Sequence, residues 1–327
     1  MRRTAVRLGH HRGVSVAAVT MATCLLAGCS DGGGGAAKGE PELGPVASNP
    51  ATASLAFPMD AYTDSEADSR RMEHVQDRMI SECMARYGFQ YVGPRSYSGP
   101  TPSANAEDRH RYRYGTADPA HAARYGYDKQ AGAGPQAKPA RPELSDSAML
   151  VLNGVRSGES VQNRPDPVSH EEAEKTDSGI SVGGKKVPPG GCGREGYRRL
   201  YAPTKDSVDL LFGFGLSSEA LDRSKNDSRV RDVVAKWSAC MAEAGYAGIE
   251  TPYDVVEKLG LAGDKGGPRA VVVAVKDVAC KREVNLVGVW AAVETAYQNQ
   301  LVDEHAETLA LYKKQRDARF ELAASMS

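Results

Sequence analysis

A nine-residue segment occurs twice in this chain, each time around a cysteine. Ser81-Glu82-Cys83-Met84-Ala85-Arg86-Tyr87-Gly88-Phe89 aligns with Ser238-Ala239-Cys240-Met241-Ala242-Glu243-Ala244-Gly245-Tyr246. Five positions are identical, and the last is aromatic in both. A second match follows in the same order: Cys192-Gly193-Arg194-Glu195 against Cys280-Lys281-Arg282-Glu283. Two ordered matches predict an internal duplication, which constrains the fold before any element is assigned. The halves are expected at about 59–205 and 206–327.

Each repeated segment closes an amphipathic helix. Met72, Val75, Met79, Ile80, Cys83, Met84 and Tyr87 recur at helical spacing in the first half. Val230, Val233, Val234, Trp237, Cys240, Met241 and Ala244 do so in the second. Gly88 and Gly245 stand where a left-handed residue ends a helix, and Asp227 or Ser228 is placed to cap the start of the second. The methionines read as core filler.

The N-terminus specifies a destination. Arg2, Arg3, Arg7 and Arg12 precede an apolar stretch over 14–27 that is too short to span a bilayer. It ends in Leu26-Ala27-Gly28-Cys29, which resembles the bacterial lipoprotein box. That resemblance implies cleavage after Gly28 and a diacylglycerol on the Cys29 sulfur. Residues 1–28 are therefore expected as a lipoprotein signal peptide, and two or more acyl chains would anchor the product stably. Residues 29–58, rich in Gly, Pro, Ala and Ser, are expected as a flexible tether before a folded domain at 59–327.

Export sets the chemistry of the cysteines. Of the six, Cys24 leaves with the signal and Cys29 carries lipid. Cys83, Cys192, Cys240 and Cys280 remain in an oxidising compartment, so two disulfides are expected. Three connectivities are open. Repeat symmetry permits cross-half pairings, while proximity in the chain favours Cys83–Cys192 and Cys240–Cys280.

Composition excludes several classes. Basic residues number 41 and acidic residues 42. With the four signal-peptide arginines removed, 37 basic residues face 42 acidic ones, the wrong balance for a nucleic-acid binder. No second apolar run approaches the length of a membrane span. Gly179-Ile180-Ser181-Val182-Gly183 matches the nucleophile-elbow pattern, but polar Glu174 to Ser178 precede it where a buried strand is required. The overlapping phosphate-loop pattern has Lys186 where Ser or Thr must hold magnesium. Instead, Gly183-Gly184 between Ile180, Val182 and Val187 suggests a small β-hairpin. The histidines fit no metal or nucleophile spacing, and no cofactor or metal site is expected.

The candidate binding surface is the Arg/Tyr segment at 109–127. Arg111, Tyr112, Arg113, Tyr114, Arg124, Tyr125 and Tyr127 offer flat amphipathic rings and forked donors for anionic groups. The alternative for these tyrosines is packing in the first half's core. The C-terminal region from Arg269 lacks proline and is expected as a long helix, with Leu286, Trp290, Val293, Tyr297, Leu301, Thr308 and Leu311 as its stripe. Its charged end after Val302 is expected to project into solvent.

The two C-M-x-x-x-G-aromatic segments, Pro189-Gly190-Gly191-Cys192 with Glu195, and Asp277-Val278-Ala279-Cys280 leading to Trp290 and Tyr297 resemble an uncharacterised family of lipoproteins from high-GC Gram-positive bacteria. The resemblance covers roughly 60–320. It implies an extracytoplasmic, lipid-anchored location and a disulfide-paired helical fold, and brings no catalytic residue with it.

The reading is a mainly α, duplicated, disulfide-stapled domain with a small β-hairpin and a long C-terminal helix. Its expected role is a non-enzymatic envelope binding or interaction protein, held to the membrane through Cys29, with an envelope protein or cell-wall polymer as partner. One alternative is a cell-wall hydrolase using the carboxylates Glu195 and Glu283. Another is an accessory subunit of an envelope transporter or sensor that docks on the charged C-terminal helix.

Overall fold

The computed structural model describes residues 39–93, 109–129, 143–160, 162 and 164–326. The expected signal peptide, Cys24, Cys29 and the start of the expected tether lie outside the described residues, as does the Gly/Pro/Ala-rich stretch at 132–142.

The described residues form a mainly helical domain. The first half holds α1 (Glu66–Ala85), α2 (Pro119–Tyr125), α3 (Asp146–Asn153), α4 (His170–Ala173) and α5 (Gly191–Tyr201). A hairpin of β1 (Ser181–Val182) and β2 (Lys185–Lys186) lies between α4 and α5. The second half holds α6 (Phe212–Lys225), α7 (Ser228–Glu243), α8 (Val255–Lys258), α9 (Pro268–Glu283), α10 (Leu286–Glu304) and α11 (Ala306–Ser325). No helix among the described residues is long and apolar enough to cross a membrane.

The duplicated segments adopt the same local structure. In each, a glycine with positive φ (80° at Gly88, 89° at Gly245) ends the helix. The aromatic after it reaches back five residues: Phe89 N–H donates to Met84 O, and Tyr246 N–H to Met241 O. This is the Schellman closure, and it accounts for the recurring Met-x-x-x-Gly-aromatic spacing. Both disulfides are within a half: Cys83–Cys192 ties α1 to α5, and Cys240–Cys280 ties α7 to α9. Their Cα–Cα distances, 5.5 and 5.7 Å, are typical of such bonds. The hairpin also forms as expected, with Val182 opposite Lys185 across a Gly183-Gly184 turn.

Three expectations give way. The tether is not free over 39–58. Leu43 and Leu55 pack on the core and Phe57 is buried in it. Glu40 accepts hydrogen bonds from Ser228 N–H and Oγ at the start of α7, where a carboxylate meets unpaired amides. The proline-free C-terminal region is three helices. Asn285, with φ 54°, separates α9 from α10, and its side chain is held by Asn49 N–H and Ala47 O. A second break at His305 puts Thr308 and Leu311 off the α10 stripe, and Leu309 and Tyr312 are buried instead. Nor does the end project into solvent. It folds back onto α1, where Phe320, Ala323 and Met326 meet Met72, Val75 and Met79.

The core has unequal parts. The largest cluster centres on Trp237, Trp290 and Leu301 of the second half and takes in Phe57, Tyr114 and Tyr127. A smaller one surrounds Cys83–Cys192, with Ile80, Met84, Val151, Ile180 and Val187.

Asp227 caps α7 from a fully buried position. It accepts from Arg229 N–H, from the Arg229 guanidinium and from Tyr297 Oη. Burial opposes its charge, but Arg229 outweighs burial and holds the carboxyl below its usual 3.8. A depressed native value means this stabilisation is complete above pH 3.8 and fades as the pH falls below it. Asp227→Asn should therefore destabilise the protein near neutrality, and the deficit should narrow below pH 3.8. Urea midpoints of both proteins across an acid series test this, and a pH-independent deficit would refute it.

Candidate functional site

The Arg/Tyr segment contributes in part to the core. Tyr114 is fully buried, stacks on Trp290 with centroids 5.0 Å apart, and donates to Glu294 Oε2 at 2.8 Å. Arg113 also turns to Glu294, with Nε 2.7 Å from Oε1, and its guanidinium reaches Ser217 O. Gln298 completes the cage, donating to Glu294 and accepting from Met59 N–H. Tyr127 is buried, with its hydroxyl on Asp277. Burial and the neighbouring carboxylates push both phenols above their ordinary range. Of the seven residues expected to form a binding face, Arg113, Tyr114 and Tyr127 are thus engaged internally. A phenol supplies apolar area together with one donor for a buried carboxylate, and second-half carboxylates need such donors. These tyrosines serve the second half's core, not the first's. Arg111, Tyr112, Arg124 and Tyr125 remain at least partly exposed, with Arg124 over the Tyr125 ring and Lys129 over the Tyr112 ring.

The two glutamates of the repeats have equivalent settings. Glu195 Oε2 lies 3.5 Å from Cys83 Sγ, and Glu283 Oε2 lies 3.6 Å from Cys240 Sγ. Glu195 is also ion-paired with Arg86, just past α1. Each carboxylate belongs to its own half's disulfide, in separate clusters. The structure does not assemble them into one acid–base pair. Among the described residues no group of His, Cys, Asp and Glu has the makings of a metal site.

A cleft of about 400 Å³ opens beside Cys83–Cys192. Arg86 and Tyr87, just past α1, form one wall, and Glu195 and Arg198 of α5 form another. The rest comes from α4 and its exit (His170, Ala173, Glu174, Asp177, Ser178) and from the hairpin (Lys185 to Pro189). Tertiary pairing fixes most of these groups. Arg86 holds Glu195, Lys186 holds Asp177, and Ser178 Oγ donates to Val187 O. Lys186 and the Gly179 N–H keep the Asp177 carboxyl below its usual range.

Three lining residues, Lys185, His170 and Arg198, are not paired with any of the cleft's own carboxylates at hydrogen-bonding distance. Lys185 Nζ donates to Arg86 O, a backbone carbonyl. His170 Nδ1 is buried without a hydrogen-bond partner, while its Nε2 stands 3.8 Å from Glu174. Arg198 is 1% exposed and donates to Pro189 O, Pro167 O and the exposed Asp166, leaving Nε buried and unpaired. Burial and the nearby Arg194 lower the affinity of this guanidinium for its proton. The cleft was not foreseen because its walls come from four chain segments, none of which carries a motif. Their only common signal was position near the first disulfide. No family model, curated protein or solved structure matches this chain.

Proposed function

We propose that this protein is a lipoprotein held to the outer face of the cell membrane through Cys29, of the kind found in high-GC Gram-positive bacteria. We further propose that its folded part is a non-enzymatic binding or interaction protein of the envelope. The observation that carries the location is the pairing of all four remaining cysteines into two disulfides, which persist in oxidising compartments. The Leu26-Ala27-Gly28-Cys29 sequence accords with it. A binding role is supported by the open polar cleft at Cys83–Cys192, whose carboxylates Glu195 and Asp177 are engaged by cations.

Cys29→Ser should move most of the protein from the membrane fraction to the medium, with both disulfides intact by mass spectrometry of the non-reduced digest. Retention of the variant in washed membranes would overturn the anchor, and free thiols at the other four cysteines would overturn the compartment.

A further inference from the structure

We infer that the cleft beside Cys83–Cys192 binds one oxyanion group, a carboxylate or a phosphate, through Lys185, His170 and Arg198. The inference rests on the binding-protein reading and names the ligand chemistry of that site. Four cationic side chains line the cleft, Arg86, Lys185, Lys186 and Arg198, against the carboxylates of Glu174, Asp177 and Glu195. Two of those carboxylates are already taken, by Lys186 and Arg86. Glu174 is two-thirds exposed and stands at the Nε2 side of His170, while the buried Nδ1 has no partner.

What remains is a set of donors short of acceptors. Leaving a buried polar nitrogen unpaired is unfavourable, and two occur among the residues lining this cleft, Arg198 Nε and His170 Nδ1. Lys185 adds a cation whose hydrogen-bond partner, the Arg86 carbonyl, carries no charge. An oxyanion satisfies all three, because each of its oxygens accepts more than one hydrogen bond. The guanidinium is held by the Pro167 and Pro189 carbonyls and by the exposed Asp166 carboxylate, so it is oriented before the ligand arrives. Apolar surface from Ala173, Val187 and Pro188 lines the same space, which is large enough for a small organic body attached to the anion.

The test is titration of the purified mature protein with inorganic phosphate and, separately, with acetate, followed by amide chemical shifts. Saturable shifts confined to the hairpin, to His170 and to α5 around Arg198 are expected for at least one anion. Saturation with phosphate alone identifies a phosphoryl ligand, and with acetate alone a carboxylate ligand. Lys185→Gln, on the exposed hairpin, should weaken that binding about tenfold, the worth of one charge-assisted hydrogen bond. Its urea midpoint should match the parent's, which separates a lost contact from a lost fold. The inference is overturned if neither anion gives saturable shifts, or if Lys185→Gln binds as tightly as the parent. Should it fail while Cys29→Ser still releases the protein, the anchored reading stands without this site.

Discussion

Replacing Lys281 with methionine should lower the stability of the domain by about 3–5 kcal/mol, the typical cost of stranding one member of a buried ion pair. Asp277 and Lys281 lie one turn apart on α9 with side-chain exposures of 0% and 1%. Their contact is 3.0 Å, and both ends are satisfied further. Trp237 Nε1 and Tyr127 Oη donate to the carboxylate, and the ammonium donates to Thr116 O. Burial raises the Asp277 pKa and lowers that of Lys281, while their mutual attraction opposes both shifts. Methionine preserves most of the lysine's volume, so the loss reports charge and not a cavity. The stranded carboxyl has its native pKa raised, so the deficit should shrink as the pH is lowered and the group protonates. Asp277→Asn/Lys281→Met should recover part of the stability, because neither charge is then left alone. Urea unfolding followed by tryptophan fluorescence measures all three. A loss below about 1 kcal/mol in the single variant would show that the pair does not hold the core as described.

The second large effect is expected from the disulfides. Removing each pair as a double alanine variant releases a loop, of 109 residues for Cys83–Cys192 and 40 for Cys240–Cys280. Chain entropy puts the losses at about 5 and about 4 kcal/mol respectively. Either is a large share of the 5–15 kcal/mol that a typical domain possesses. The consequences should differ in place. Cys240 and Cys280 sit in the large second-half cluster, which keeps Trp237, Trp290 and Leu301 without them. Cys83 and Cys192 sit in the small cluster beside the hairpin, where there is less apolar surface to compensate. Hydrogen exchange in the first variant should therefore rise most at the hairpin, α3 and α5. Uniform acceleration over the whole chain would argue against that local dependence, and unchanged urea midpoints in both variants against the staples altogether.

The sequence made the local structure legible and the long-range structure much less so. Helical spacing located the faces of α1 and α7, and the glycines at 88 and 245 located their ends, because capping depends on neighbours a few residues away. Proximity suggested the right cysteine partners. The inward turn of Arg113 and Tyr114 was not legible because their partner, Glu294, lies some 180 positions downstream. Nothing near 113 announces that partner. Asp277 and Lys281 look like any solvated i,i+4 pair, and only the packing of α2 and α7 on α9 reveals their burial. Asn285 broke a run without proline or an end-marking glycine, since asparagine also accepts the left-handed region when its side chain finds partners. The cleft was the least visible feature, being a property of four segments together.

The manner in which the halves are joined has a consequence for how the chain comes together. The first half's Arg/Tyr strip is built into the second half, while the second half's last helix closes over α1 of the first. Each half has its own covalent clasp, yet each also packs on the other. In order of synthesis, the Met72–Val75–Met79 face precedes its cover, Phe320 to Met326, by more than half of the 327 residues. An apolar face left uncovered over so long a stretch of synthesis is a hazard for association. Trimming at the C-terminus would accordingly be felt at the opposite end of the chain, in the helix that carries Cys83.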